Sequence, residues 1–232
     1  MRKLSFISNS LSKTSRCKHH GILDMAKIIN DLNYWQNYYK NQKMTFTPSL
    51  FAKYCFENLY VKKNSSLLEL GCGNGRDAVF FAEKDVLVTA VDQSPSEIEF
   101  LKDKFKSRNL IFQCTDFSKI NDFSNFDCIY SRFSLHAIDK EQEDQVVQTA
   151  LKTTKTGTII LLEFRGLNNE YYGLGEKSLS CDHTFFYEGH YRRFVDVDLL
   201  SSKFRNNGFH IVIADEKKVE LHFVVRIIHL QE

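Results

Sequence analysis

Between residues 66 and 164 the chain alternates between two rhythms. Short, nearly continuous apolar runs ("SSLLELG", "VLVTAVD", "NLIFQCTD", "FDCIYSRF" and "GTIILLEF") have the pattern of strands buried on both faces. Between them "RDAVFFAEKD", "SPSEIEFLKDKFKS" and a stretch over about 139–153 repeat apolar residues at helical spacing. In the second of these, Ser94 is placed to cap, Pro95 stands in the first turn, and Glu97 follows at capping-box spacing. Upstream, residues 28–43 read as an aromatic helix or turn. Thr47 as cap and Pro48 then predict a helix along which Phe51, Tyr54, Cys55 and Leu59 recur. Downstream, a polar, aromatic, glycine-bearing stretch spans 166–191, "DVDLLSSKFRNNG" predicts a helix closed by Gly208, and "FHIVIADE" and "LHFVVRIIHL" are two last strands. Strand–helix alternation predicts an α/β fold, a parallel sheet covered by helices on both faces.

Composition narrows the picture modestly. At 232 residues, 43% hydrophobic and only two prolines, one domain is expected, over 25–232, with a segment at its N-terminal end as a helical lid and an insertion at about 166–191. A net charge of +2 supplies no argument for nucleic acid or an anionic membrane, and no stretch reaches the roughly 20 apolar residues of a membrane helix. Cysteines 17, 55, 72, 114, 128 and 181 form no CxxC pair, which predicts free thiols in a reducing cytoplasm. Residues 1–24 are basic and serine-rich with no acid before Asp24, and read as a disordered tail or, alternatively, a transit peptide. Cys17, His19 and His20 have no second ligand cluster, so no metal site is expected.

The chemistry concentrates at the strand ends. "LLELGCGNGRD" at 67–77 places three glycines straight after the first strand. A dinucleotide loop reads GxGxxG, but Arg76 stands where its third glycine belongs, and the Gly-Lys-Ser/Thr of a phosphate loop is absent. Glu69 puts a negative charge at this strand end, which disfavours pyrophosphate and suits a cofactor carrying an ammonium and a sulfonium. Asp92 ends the second strand, Asp116 the third, and "SRFSLH" follows the fourth.

These four stations together resemble class I S-adenosylmethionine-dependent methyltransferases over roughly residues 30–230. The resemblance implies a Rossmann-like sheet of seven strands, order 3-2-1-4-5-7-6 with strand seven antiparallel, and S-adenosylmethionine as cofactor. Carried over position by position, Gly71, Gly73, Asn74 and Arg76 form the loop against the methionyl part, and Glu69 and Ser131 serve the ammonium end. Asp92 accepts both ribose hydroxyls, while Asp116, Phe117 and Gln93 frame the adenine. Tyr34 and Trp35 are similar to the "YW" of a segment that closes over the cofactor in small-molecule members. Asp116 also fits a helix cap, and Tyr34 and Trp35 also fit plain core aromatics.

For the acceptor, the family's base-methylating tetrapeptide is replaced by "YSRF", and no Pro-Cys occurs. A small molecule rather than nucleic acid is expected, with no membrane partner. Arg132, Tyr187, His190, Arg192 and Arg193 predict a site for a carboxylate- or phosphate-bearing metabolite or glycan precursor, with His136 as base. Surface pairs of the two late arginines with Glu188 and Asp196, and a structural His136, are the competing assignments. At the level of function, a catalytically idle partner subunit, a metalloid (tellurite-type) methyltransferase and an oxidoreductase on the same sheet are the alternatives.

Overall fold

The computed structural model describes residues 45–179, 181–188, 190–219 and 222–231. Residues 1–24, the stretch 28–43, Cys17, His19, His20, Tyr34 and Trp35 therefore lie outside the described residues.

Five parallel strands form the centre: β1 (Ser66–Leu70), β2 (Leu87–Asp92), β3 (Leu110–Cys114), β4 (Cys128–Arg132) and β5 (Ile159–Phe164). A C-terminal pair, β9 (Phe209–Val219) and β10 (His222–Gln231), completes a seven-stranded sheet in the order β3-β2-β1-β4-β5-β10-β9. β10 runs antiparallel to both neighbours, so the order implied by the resemblance holds among the described residues.

Side chains alternate across the sheet, and so does the core. Leu67, Tyr130 and Leu161 pack under α1 (Leu50–Glu57), α2 (Arg76–Glu83) and α3 (Pro95–Lys104). Leu68, Leu70, Ile129 and Ile160 pack under α4 (Lys140–Thr153) and α5 (Val197–Arg205). Tyr130, fully buried, stacks on Phe51 at 5.4 Å and meets the edge of Phe81 at 5.2 Å.

Local details depart from expectation in three places. The first helix is capped by Ser49, whose Oγ accepts the Ala52 N–H at 3.0 Å, rather than by Thr47. Leu59 falls past that helix in the left-handed region at φ 61° and is exposed, leaving Phe51 and Cys55 on the core side. At α3, Ser94 makes no side-chain cap; its N–H is held by Asp92 and Glu97 turns inward, so the capping box does not form. The polar, glycine-bearing stretch, whose pattern predicts no regular element, and the residues just after it form a small antiparallel sheet of β6 (Glu176–Lys177), β7 (Thr184–Tyr187) and β8 (His190–Arg193).

Candidate active site

The chain runs outward from β1 to β3 and returns to β4 on the other side of β1, opening a crevice at the carboxyl ends of β1 and β4. The glycine loop turns there. Gly71, Gly73 and Gly75 hold φ of 74°, 52° and 71°, a region costly for any residue with a Cβ. Space adds a second constraint at Gly71, where a Cβ would stand 2.4 Å from Ser134 Oγ. The N–H groups of Gly71 and Cys72 both donate to the Val91 carbonyl, which ties the loop to β2.

Asp92 braces this loop: its carboxylate accepts the Gly73 N–H and the Ser94 N–H, both at 3.0 Å. Two lone pairs remain for a ligand. Burial pushes the Asp92 carboxyl above its ordinary value despite those two bonds. Glu69, on the neighbouring strand, is pushed well above the usual carboxylate range by burial first and Asp77 second, with Arg132 pulling the other way. Its Oε2 is buried with no partner, as is Ser131 Oγ. Glu69 is paired with Tyr130 and Leu70 with Ser131 in the register, so these two orphaned oxygens belong to adjacent strand ends but to opposite faces of the sheet. The unsatisfied Glu69 carboxyl at the mouth of the crevice fits a ligand's ammonium group, which offers three donors.

Several residues around this seat were not singled out from sequence. Asp77 accepts the Ser49 N–H at 2.7 Å, the Ser49 hydroxyl at 2.8 Å and the Tyr130 hydroxyl at 2.8 Å. It ties α1 and β4 to the start of α2 beneath the loop. Asn74 Nδ2 donates to the Thr45 carbonyl at 3.3 Å, bringing residue 45 to the loop as well. Sequence offers only a weak signal for Asp77, an acid in the first turn of a helix. Arg76 donates its N–H to Asn74 Oδ1 and lies 4.0 Å from Asp77, a weak contact. At the far side Phe117 is buried and Gln93 exposed. Asp116 caps a short 3-10 turn: its Oδ1 takes the Ser118 N–H and hydroxyl, and Oδ2 pairs with Lys119 at 3.3 Å.

Beyond β4 the character changes. Arg132 pairs with Glu163 at 3.0 Å across the ends of β4 and β5. Its guanidinium lies 4.4 Å from the centre of Phe133, itself in the left-handed region at φ 56°. Arg165 lies 6.0 Å from Phe133 and 5.7 Å from Tyr171. Arg192 lies 5.1 Å from Tyr171 and 5.3 Å from Tyr187. Arginine and aromatic ring thus alternate from the end of β4 into the insertion. Arg165 and Tyr171 complete this row, which Arg132, Tyr187 and Arg192 alone do not make.

Two acceptor-side expectations are corrected. Consecutive residues of a strand face opposite ways, so Arg192 and Arg193 cannot act as a pair. Arg193 is buried and fully engaged, with Glu143 at 2.6 Å and with the carbonyls of Ile138 and Leu135. It fastens β8 to α4, and neither it nor Arg192 pairs with Asp196, which caps α5. His136 is buried, and its Nδ1 accepts the Arg165 N–H at 3.3 Å. A neutral imidazole that accepts at Nδ1 carries its proton on Nε2, so the ring presents a donor there and not a base. His190 takes part through its backbone, opposite Tyr187 in the β7–β8 hairpin.

Known proteins bear on this geometry. Residues 67–157 match the family described as "Methyltransferase domain". The chain is similar to (S)-coclaurine N-methyltransferase of Thalictrum flavum subsp. glaucum, with 36% identity over 95 residues, 38% of this chain and 26% of that one. It is also similar to phosphoethanolamine N-methyltransferase of Plasmodium falciparum, at 22% identity over 72% of this chain and 62% of that one. The chain therefore spans between about a quarter and just under two thirds of the length of these curated relatives. Among solved structures, 1,6-didemethyltoxoflavin-N1-methyltransferase of Burkholderia thailandensis, bound to its substrate and S-adenosylhomocysteine, shares the fold with a TM-score of 0.57. Its identity is 16%, with 99% of this chain and 94% of that one covered. The matched segment runs from β1 past the end of α4 and holds the glycine loop, Asp92, Asp116 and Ser131, so the part of the chain that carries the candidate site is the part that matches the methyltransferase domain.

Proposed function

We propose that this chain transfers a methyl group from S-adenosylmethionine to a small acceptor bearing a carboxylate or phosphate, not to nucleic acid. The cofactor supplies a methyl carbon on a sulfonium; transfer breaks that carbon–sulfur bond, leaves the electron pair on sulfur and forms a bond to the acceptor's nucleophilic atom, whose proton passes to solvent. The protein's own work is alignment and exclusion of water. In this reading the Glu69 carboxylate and the backbone of β4 at Ser131 hold the ammonium end, and the loop from Gly71 through Asn74 to Arg76 shapes the seat. Asp92 takes the ribose hydroxyls with its two spare lone pairs. Phe117, Gln93 and Asp116 border the adenine, and Tyr34 belongs to the closing segment.

On the acceptor side the reading rests on one observation above the others: Arg192 is buried, yet its Nε has no partner. A guanidinium edge left open in a buried place is a receptor for an anion. Arg132 and Arg165 extend the positive wall toward β4. A phosphate-bearing acceptor named for one relative, phosphoethanolamine, lends the anionic reading further support. The described cysteines are free thiols, in keeping with a cytoplasmic setting.

The test is a screen for S-adenosylhomocysteine release with small carboxylates and phosphates, each beside its neutral amide or alcohol analogue. Turnover confined to anionic members is expected. Turnover of only the neutral partners would sink the anionic assignment and leave methyl transfer itself standing; cofactor binding without turnover of anything would favour an idle partner subunit.

A further inference from the structure

We infer that Glu188 is a built-in occupant of the acceptor's anion seat on Arg192, displaced when the acceptor arrives; this deepens the anionic-acceptor reading and depends on it. The argument begins with what surrounds the guanidinium. Tyr171 and Tyr187 lie against it at 5.1 and 5.3 Å, and Arg192 is 9% exposed. Its useful contacts are therefore confined to the donors in its plane. Nε and Nη2 form one edge of that plane, the edge a carboxylate grips with two parallel bonds. Glu188 reaches it with a single oxygen: Oε2 accepts from Nη2 at 3.1 Å, while Nε on the same edge has no partner. The fork is half made.

The two partners are unequal. The Arg192 side chain is 10% exposed and held between rings, whereas that of Glu188 is 63% exposed at the β7–β8 turn. An ion pair with one solvated partner contributes little, because water competes for the carboxylate and salt screens it. Glu188 also holds φ 53°, in the left-handed region where a residue with a Cβ is strained. Nothing about this contact makes it strong, and its geometry leaves a buried donor unsatisfied. An incoming carboxylate or phosphate can make both bonds, satisfy Nε and send Glu188 back to water. Until then Glu188 keeps the buried guanidinium from standing without any counter-charge. Acceptor affinity is lowered in proportion to how often Glu188 occupies the seat.

The experiment uses the full chain saturated with S-adenosylhomocysteine, with benzoate and inorganic phosphate as probes and benzyl alcohol as the neutral control. Affinities are read by calorimetry or NMR titration for the wild type, Glu188→Gln, Arg192→Lys and the double variant. S-adenosylhomocysteine affinity in each variant checks that the fold is kept. If Glu188 is the occupant, Glu188→Gln tightens the favoured anion by about three- to tenfold, and Arg192→Lys weakens it by about tenfold in both backgrounds. Benzyl alcohol should not respond to Glu188→Gln. If Glu188→Gln leaves anion affinity unchanged or weakens it while Arg192→Lys still weakens it, the occupant idea is overturned and the anionic acceptor stands. If neither substitution changes binding of either anion, or neither anion binds, the seat on Arg192 fails, and the anionic reading with it.

Discussion

The two banks of the crevice are built from opposite materials. On the bank of β1 and β2, buried acids gather: Glu69, Asp77, Asp92 and Glu97, two of them with a carboxylate oxygen that has no partner. Beyond β4, arginines alternate with aromatic rings, from Arg132 through Phe133, Arg165 and Tyr171 to Arg192 and Tyr187. The charge on each bank opposes the charge of what it is proposed to hold, a cation on one side and an anion on the other. The banks also differ in how they are held. The acidic one hangs on backbone: Gly73 and Ser94 donate their N–H groups to Asp92, and Gly71 and Cys72 donate to Val91. The basic one hangs on side chains, through ion pairs and ring contacts. Geometry fixed by backbone leaves little freedom to the proposed cofactor seat, while side-chain scaffolding can be altered acceptor by acceptor.

Within the basic bank, structural and receptive arginines can be told apart by substitution. Replacing Arg193 by Met should leave the buried Glu143 with only the partly exposed Lys140, at 3.1 Å, as counter-charge, and should cost about 3 kcal/mol of stability, measured by chemical denaturation. Adding Glu143→Leu should recover much of that loss. Because Arg193 faces away from the crevice in this account, the folded fraction should bind S-adenosylhomocysteine normally; lost binding would merge the two kinds of arginine.

On the acidic bank, Asp92→Ala removes an acceptor from two loop N–H groups and from the proposed ribose contacts. Affinity for S-adenosylhomocysteine should fall by at least about tenfold, and stability by about 1–3 kcal/mol. Unaltered affinity by calorimetry would take Asp92 out of the seat.

Glu69→Gln separates stability from binding. Burial raises the folded-state titration of Glu69, so its contribution to stability is fully present below its unfolded value and is lost as pH rises through the raised one. The ligand-free Gln variant should therefore match the wild type in acid and exceed it increasingly as pH rises, while binding the cofactor more weakly. A destabilised variant at alkaline pH would mean that the carboxylate has a partner in the ligand-free protein.

The smallest effect is protonic. A cationic cofactor next to Glu69 and Asp92 favours their charged forms, and both are pushed upward without it. Binding should release a fraction of a proton, visible as calorimetric heats that depend on the ionisation enthalpy of the buffer. Heats independent of buffer would argue against a raised carboxyl at the seat.

Much of the acidic bank was legible in the sequence because its residues sit at fixed short distances from strand ends, and glycines in a loop mark a backbone path directly. Strand order was legible only through the family, since no periodicity says that β10 inserts between β5 and β9. Asp77 looked like an ordinary first-turn acid; its partners Ser49 and Tyr130 are 28 and 53 residues away, beyond any local pattern. On the basic bank, strand alternation would have separated Arg192 from Arg193, but β7 and β8 are four residues each in a polar stretch and give too little periodicity to be found. His136 shows the same limit: its role turns on the backbone N–H of Arg165, 29 residues away.

The close approach of Gly71 and Ser134 bears on the order of assembly. The Ser134 hydroxyl donates to the Gly71 carbonyl at 3.2 Å across 63 positions, and Arg132, Phe133 and Ser134 leave β4 only once that strand lies beside β1. The proposed cofactor seat therefore needs β4 beside β1, and we predict that it is not yet formed in the folding transition state. On that prediction, a ligand that recognises this feature gains no binding in the folding transition state. Its stabilisation should appear in kinetics almost wholly as slower unfolding, with the refolding rate nearly unchanged.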